Sequence, residues 1–195
     1  QRQRYTIGLT AYRIGINYTN NLNFINVIEP EMRAFAKEVG KTVFFGVRSD
    51  HEVVYICKTE PENPIITTAT VGTKNPMYCT SLGKAILAYS DEETCGQILA
   101  RMKFKKHTER TITDRESLKR ELERVRDQGY ALDEREVEEH MECVGAPVFG
   151  PDGSVVGALS VSSLYKPTED YEQLGRLTAK KAAEVSKLLG FLGKI

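Results

Sequence analysis

Between Gly129 and Ser163 the chain reads GYALDEREVEEHMECVGAPVFGPDGSVVGALSVSS, and few folds accommodate that stretch. Two runs of small and apolar residues flank the turn Gly150-Pro151-Asp152-Gly153, which predicts a β-hairpin with a four- or five-residue connection. Side chains alternate between the two faces of a strand. Cys143 and Gly145 therefore share one face of the first strand, and Ser160 and Ser162 share one face of the second. Upstream, Gly129 closes a helical pattern, and an acidic segment containing Asp133 and Glu136 follows. A few small polar groups thus stand on a mostly apolar sheet near a carboxylate. That suits holding a small polar molecule better than breaking one.

The rest of the chain supplies one core around this hairpin, since 195 residues with 41% hydrophobic content predict a single domain. The 27 acidic and 27 basic residues cancel, which argues against a nucleic-acid-binding domain on global charge. No apolar run approaches the roughly 18–20 residues of a membrane span, and QRQRYT is not a signal-peptide start. Cys57, Cys79, Cys95 and Cys143 show no CxxC pair or zinc-ribbon spacing, so free thiols in a reducing cytoplasm are expected. The abrupt polar start, without Met, reads as a piece of a longer protein.

Taken in order, Tyr5-Thr6-Ile7-Gly8-Leu9 with Ile14 and Ile16 predicts a short helix. Asn23 to Val39 predicts a longer one, with Ile25, Ile28, Met32, Phe35 and Val39 on one stripe. Pro30 removes a donor inside it, so either a kink or a first helix ending near Ile28 is expected. Thr42–Val47 and Val53–Lys58 read as strands about the turn Ser49–Glu52, with His51 exposed in the turn, and Ile65–Val71 as a third antiparallel strand. Gly72 to Pro76 breaks the pattern before the helix Lys84–Tyr89. Thr80 or Ser81 suits a cap on that helix, and the residues alone favour a cap over an anion site at its N-terminus. Ser90-x-x-Glu93 and Thr113-x-x-Glu116 are capping-box patterns, each opening a helix. The basic run Lys103–His107 between them reads as a solvated connection. Pro167–Asp170 starts the last helix, whose stripe is Leu174, Leu177, Val185, Leu188 and Leu192, with Lys180, Lys181 and Glu184 on the wet face.

Three chemistries compete. Cys143, His140 and Asp133 have the residue types of a thiol catalyst. Yet His140 lies three residues from Cys143 in or near extended chain, which points the two to opposite faces. The same three could ligate zinc, but without motif-grade spacing. In a binding reading, Ser160 and Ser162 offer hydroxyls to a carboxylate or sugar alcohol, Asp133 accepts from a hydroxyl, and Cys143 is a small polarizable wall. On the residues alone, both serines pairing with backbone or water is the favoured alternative to a ligand site.

The spacing Gly129-x3-Asp133-x2-Glu136-x6-Cys143-Val144-Gly145-x2-Val148-Phe149 closely resembles the signature of IclR-type bacterial transcription regulators, in their C-terminal effector-binding domain. Two positions depart from it: Gly150 stands where Asp or Asn is usual, and His140 where Gly is usual. The resemblance implies an α+β fold, a GAF/PAS-like curved antiparallel sheet flanked by helices on both sides. It implies that residues 1–20 are the end of a wing and a linker helix, that 21–195 are the effector domain, and that an N-terminal winged helix-turn-helix domain is absent from this chain. It implies a ligand site made by the backbone N–H groups of Ser81 and Leu82 with Asp133, Cys143, Ser160 and Ser162, and no catalytic residue, metal or cofactor. The partners it implies are a small-molecule carboxylate effector, operator DNA through the absent domain, and further copies of the chain in a cytoplasmic homodimer or homotetramer. Asn75–Cys79 and His107–Thr113 look most like the branch responding to keto-sugar acids. A thiol enzyme acting on a small oxidised metabolite is the alternative.

Overall fold

The computed structural model describes residues 8–11, 13–14, 23–64 and 69–193. Six strands make one antiparallel sheet: β1 (Thr42–Ser49), β2 (Glu52–Thr59), β3 (Lys74–Pro76), β4 (Ala131–Glu134), β5 (Met141–Phe149) and β6 (Val155–Leu164). Their order is β3-β2-β1-β6-β5-β4, and the sheet curls. The expected hairpin is its centre. β5 and β6 pair from Met141↔Leu164 to Phe149↔Val155, and Gly150 donates its N–H to the Ser154 carbonyl at 2.9 Å across a five-residue connection.

Period-2 alternation separates two cores. Val43, Phe45, Val144, Ala146, Leu159 and Val161 face α1 (Asn23–Val39) and α5 (Tyr171–Leu188). Phe44, Tyr55, Ala131 and Ala158 face α2 (Ser81–Tyr89), α3 (Glu92–Arg101) and α4 (Arg115–Gln128). Helices therefore cover both sides of the sheet, as the resemblance implied. No described helix is long and apolar enough to cross a membrane.

Several sequence expectations need correction. α1 runs unbroken through Pro30, which sits on its exposed side; Ile28, Met32 and Phe35, all buried, hold it on the sheet. Among the described residues the third strand is Lys74–Pro76, paired with Val54–Glu52, where Ile65–Val71 was expected. Of that segment residues 65–68 lie outside the described residues, and 69–71 are not in a strand. The helix caps are Asp91 and Asp114, accepting from the N–H groups of Thr94 and Ser117 at 2.8 Å. Each stands one residue after the expected Ser90 and Thr113, because a carboxylate also complements the helix N-terminal charge and the Ser90 hydroxyl is spent on the Ile86 carbonyl. Leu188 and Leu192 are exposed rather than part of the α5 stripe. The helix expected near Tyr5–Ile16 falls mostly outside the described residues, of which Leu9–Ala11 and Arg13–Ile14 are helical.

Candidate functional site

Cross-strand registry assembles the site. Asp133 pairs with Cys143, Cys143 with Ser162, and Ser162 with Thr42. Residues opposite one another in a sheet point to the same face, so one polar row crosses four strands on the α2 side. Asp133, Cys143 and Ser162 line a cavity of about 50 Å³. Tyr55 and Asn75 face it from β2 and β3, and Phe44, Val137 and Met141 supply apolar walls, with Ala69 and Glu138 completing the lining. Among the described residues no lysine or arginine belongs to that lining.

The next row toward the hairpin turn is Ala131, Gly145, Ser160 and Phe44. Here α2 sits directly on the sheet. A Cβ built on Gly145 would lie 2.7 Å from the Ser81 carbonyl carbon and 3.0 Å from Leu82 N, so only glycine allows this approach. Thr80 caps α2, its Oγ1 accepting from Gly83 N–H at 3.1 Å, and the N–H groups of Ser81 and Leu82 have no intrahelical carbonyl to bond. Of the six expected site residues, the structure thus brings Asp133, Cys143 and Ser162 to the cavity. Ser160 lies one row away, Ser81 and Leu82 form the helix end above that row, and all three are buried and outside the cavity lining.

Cys143 Sγ lies 3.2 Å from Ser162 Oγ. Burial pushes the thiol up, and the Asp133 charge pushes it further, so the sulfur stays protonated and is a poor nucleophile. His140 is exposed and outside the cavity lining. Among the described residues no three His, Cys, Asp or Glu side chains are placed to hold a metal ion.

Behind the row stands a residue that periodicity did not single out. Lys84 on α2 is 1% exposed; its ammonium contacts Glu136 and lies 3.3 Å from Glu121. Burial disfavours the ammonium, but the two carboxylates outweigh it and Lys84 stays charged, its pKa raised. Asp133 also feels this lysine, so three carboxylates surround one cation. Asp133 Oδ1 accepts the Glu136 N–H at 2.7 Å. Burial nevertheless raises the Asp133 carboxyl to about 7, with Lys84 pulling it down and Glu136 pushing it up. The clue in the sequence was a lysine inside the apolar helix SLGKAILAY, four residues after a capping threonine. Tyr55 left no such clue, because the pairing of β2 with β3 is a tertiary contact.

Residues 16–187 match the family described as bacterial transcriptional regulator IclR, C-terminal. The chain is 31% identical to the HTH-type transcriptional regulator KdgR of Escherichia coli K12 over 193 residues, covering 98% of this chain and 73% of KdgR. It is 31% identical to the HTH-type transcriptional repressor AllR of Salmonella typhi, over 94% of this chain and 68% of AllR. The crystal structure of the Thermotoga maritima IclR superposes with a TM-score of 0.86 at 32% identity, covering 96% of this chain and 77% of that one.

Proposed function

We propose, since this chain belongs to the bacterial transcriptional regulators of the IclR family and carries their C-terminal effector-binding domain, that its cavity holds a small organic acid. The observation carrying this reading is the row Asp133, Cys143, Ser162: three polar side chains on adjacent strands, turned into one half-open, otherwise mostly apolar space. Ser162 hydrogen-bonds the carboxylate and Asp133 accepts from a hydroxyl group, with Ser160 and the Ser81–Leu82 peptide behind them in the next row. The likeness of Asn75–Cys79 and His107–Thr113 to the keto-sugar-acid branch makes a keto-sugar acid the first choice. A thiol enzyme has no support: the relatives above are named as regulators, and the Cys143 thiol is held protonated.

A carboxylate confined beside Asp133 disfavours that residue's ionisation. Binding above about pH 7, where free Asp133 is charged, therefore takes up a proton. Affinity stays level below that pH and falls as pH rises through it, by up to about tenfold per unit. A thermal-shift and calorimetric screen of 2-ketogluconate, gluconate, glyoxylate, pyruvate and benzoate tests this. At least one acid is expected to raise the Tm more at pH 6.5 than at 8.5. Ser162→Ala is expected to weaken that acid about tenfold, the worth of one hydrogen bond to a charged group. No shift with any acid, or a shift that grows with pH, rejects the reading.

In the whole regulator, effector binding shifts the balance between two arrangements of a cytoplasmic oligomer, and so its fit to operator DNA held by a helix-turn-helix domain. Two-fold operators call for two-fold assemblies, so this chain is expected to sediment as a homodimer or homotetramer. A monomer from 1 to 100 times the lowest detectable concentration contradicts that.

A further inference from the structure

Thr42 closes the polar row on β1. It stands opposite Ser162 in the register, and Phe44 follows it two residues along the same face; Ser162 and Phe44 both line the cavity. Val43, between Thr42 and Phe44, turns to the other core. Thr42 is 0% exposed, and its Oγ1 has no hydrogen-bond partner among the described residues. A buried hydroxyl left unpaired lowers the stability of the fold. Ser162 is engaged on its other side, where its Oγ lies 3.2 Å from Cys143 Sγ. Residues opposite one another on adjacent strands hold their Cβ atoms about 4.5–5.5 Å apart, a span that Thr and Ser hydroxyls bridge when their rotamers face each other.

We infer that Thr42 is a positioning residue of the site: its hydroxyl donates to Ser162 when Ser162 turns its own proton to a bound carboxylate. This rests on the cavity being the effector site. A hydroxyl carries one proton and accepts through two lone pairs. Once the carboxylate takes the Ser162 proton, the Ser162 oxygen is left as an acceptor. On one side it has the protonated Cys143 thiol, which is a weak donor. Thr42 on the other side supplies a stronger one. Donation into a hydroxyl that itself donates to an anion strengthens both bonds. Turning Thr42 between staggered χ1 rotamers exchanges its hydroxyl for a methyl of similar size, so the neighbours need not move and the cavity keeps its volume. The hydroxyl left unpaired in the free protein thus finds its partner in the complex.

The test compares the wild type with Thr42→Val, Thr42→Ser, Ser162→Ala and the double variant Thr42→Val with Ser162→Ala. Thermal unfolding is followed without ligand. Calorimetry then uses whichever of 2-ketogluconate, gluconate, glyoxylate, pyruvate and benzoate raises the wild-type Tm most. Thr42→Val is expected to unfold at or above the wild-type Tm, because it replaces only the unpaired hydroxyl, yet to bind that acid about three- to tenfold more weakly. Thr42→Ser keeps the hydroxyl and is expected to bind within about twofold of the wild type, even where loss of the methyl lowers its Tm. With Ser162 already replaced by Ala, Thr42→Val is expected to change affinity by less than about twofold, since the acceptor is gone. Four outcomes overturn the role of Thr42 and leave the effector site standing: a lowered Tm in Thr42→Val, its unchanged affinity, an equal loss in Thr42→Ser, or an equal loss in the Ser162→Ala background. Failure of the wild type to bind any of these acids overturns the site and this inference together.

Discussion

Replacing Lys84 with Met is expected to reduce stability by about 3–5 kcal/mol at pH 7, because a buried ion pair broken on one side leaves an uncompensated charge. Glu136 is 3% exposed, and its Oε2 has no hydrogen-bond partner among the described residues; without Lys84 its Oε1 loses its partner as well. Glu121 keeps Arg124, 2.9 Å away, so the damage concentrates on Glu136 and Asp133. With the ammonium gone, both carboxyls move up and bind protons in the folded state. The deficit should therefore shrink as pH falls from 7 to 5, since the folded form then binds more protons than the unfolded one. The double variant Lys84→Met with Glu136→Gln should recover part of the loss. Urea unfolding at the two pH values measures this. A loss below about 1 kcal/mol, the scale of an exposed pair, contradicts a buried cluster.

Gly145→Ala should separate α2 from the sheet. The added Cβ meets backbone atoms, at 2.7 Å from both the Ser81 carbonyl carbon and oxygen, and backbone cannot swing aside as a side-chain tip can. Overpacking of this kind typically destabilises by about 1–3 kcal/mol. The α2 terminus is also the roof of the row beside the cavity, so effector affinity should fall by about tenfold or more, as a charged-group hydrogen bond is misplaced. Gly96 is the control: it is helical, and a Cβ there has nothing within 4 Å, so Gly96→Ala should raise stability slightly by helix propensity. Native stability and unchanged binding in Gly145→Ala would remove α2 from the account.

The hairpin of β5 and β6 was legible because its periodicity is local: alternation alone placed Cys143 with Gly145, and Ser160 with Ser162. The register that sets Cys143 opposite Ser162, and Asp133 opposite Cys143, is consistent with those faces. What depends on long-range pairing was not legible. Lys74–Pro76 has no β-branched or aromatic residue and becomes a strand through its bonds to β2. Ser90 and Asp91 offer equally good caps in sequence, and only the Ile86 carbonyl decides between them. The burial of Lys84 requires Glu121 and Glu136 to arrive from other parts of the chain. The carboxylate and hydroxyl of the cavity therefore also have a cation behind them.

The most direct measurement is a crystal structure of this chain with whichever acid gives the largest thermal shift. The acid should lie in the cavity between β2 and β4, hydrogen-bonded to Ser162, within reach of Asp133, and against Cys143. An acid bound elsewhere on the molecule, with only solvent between Phe44 and Asp133, would contradict the account.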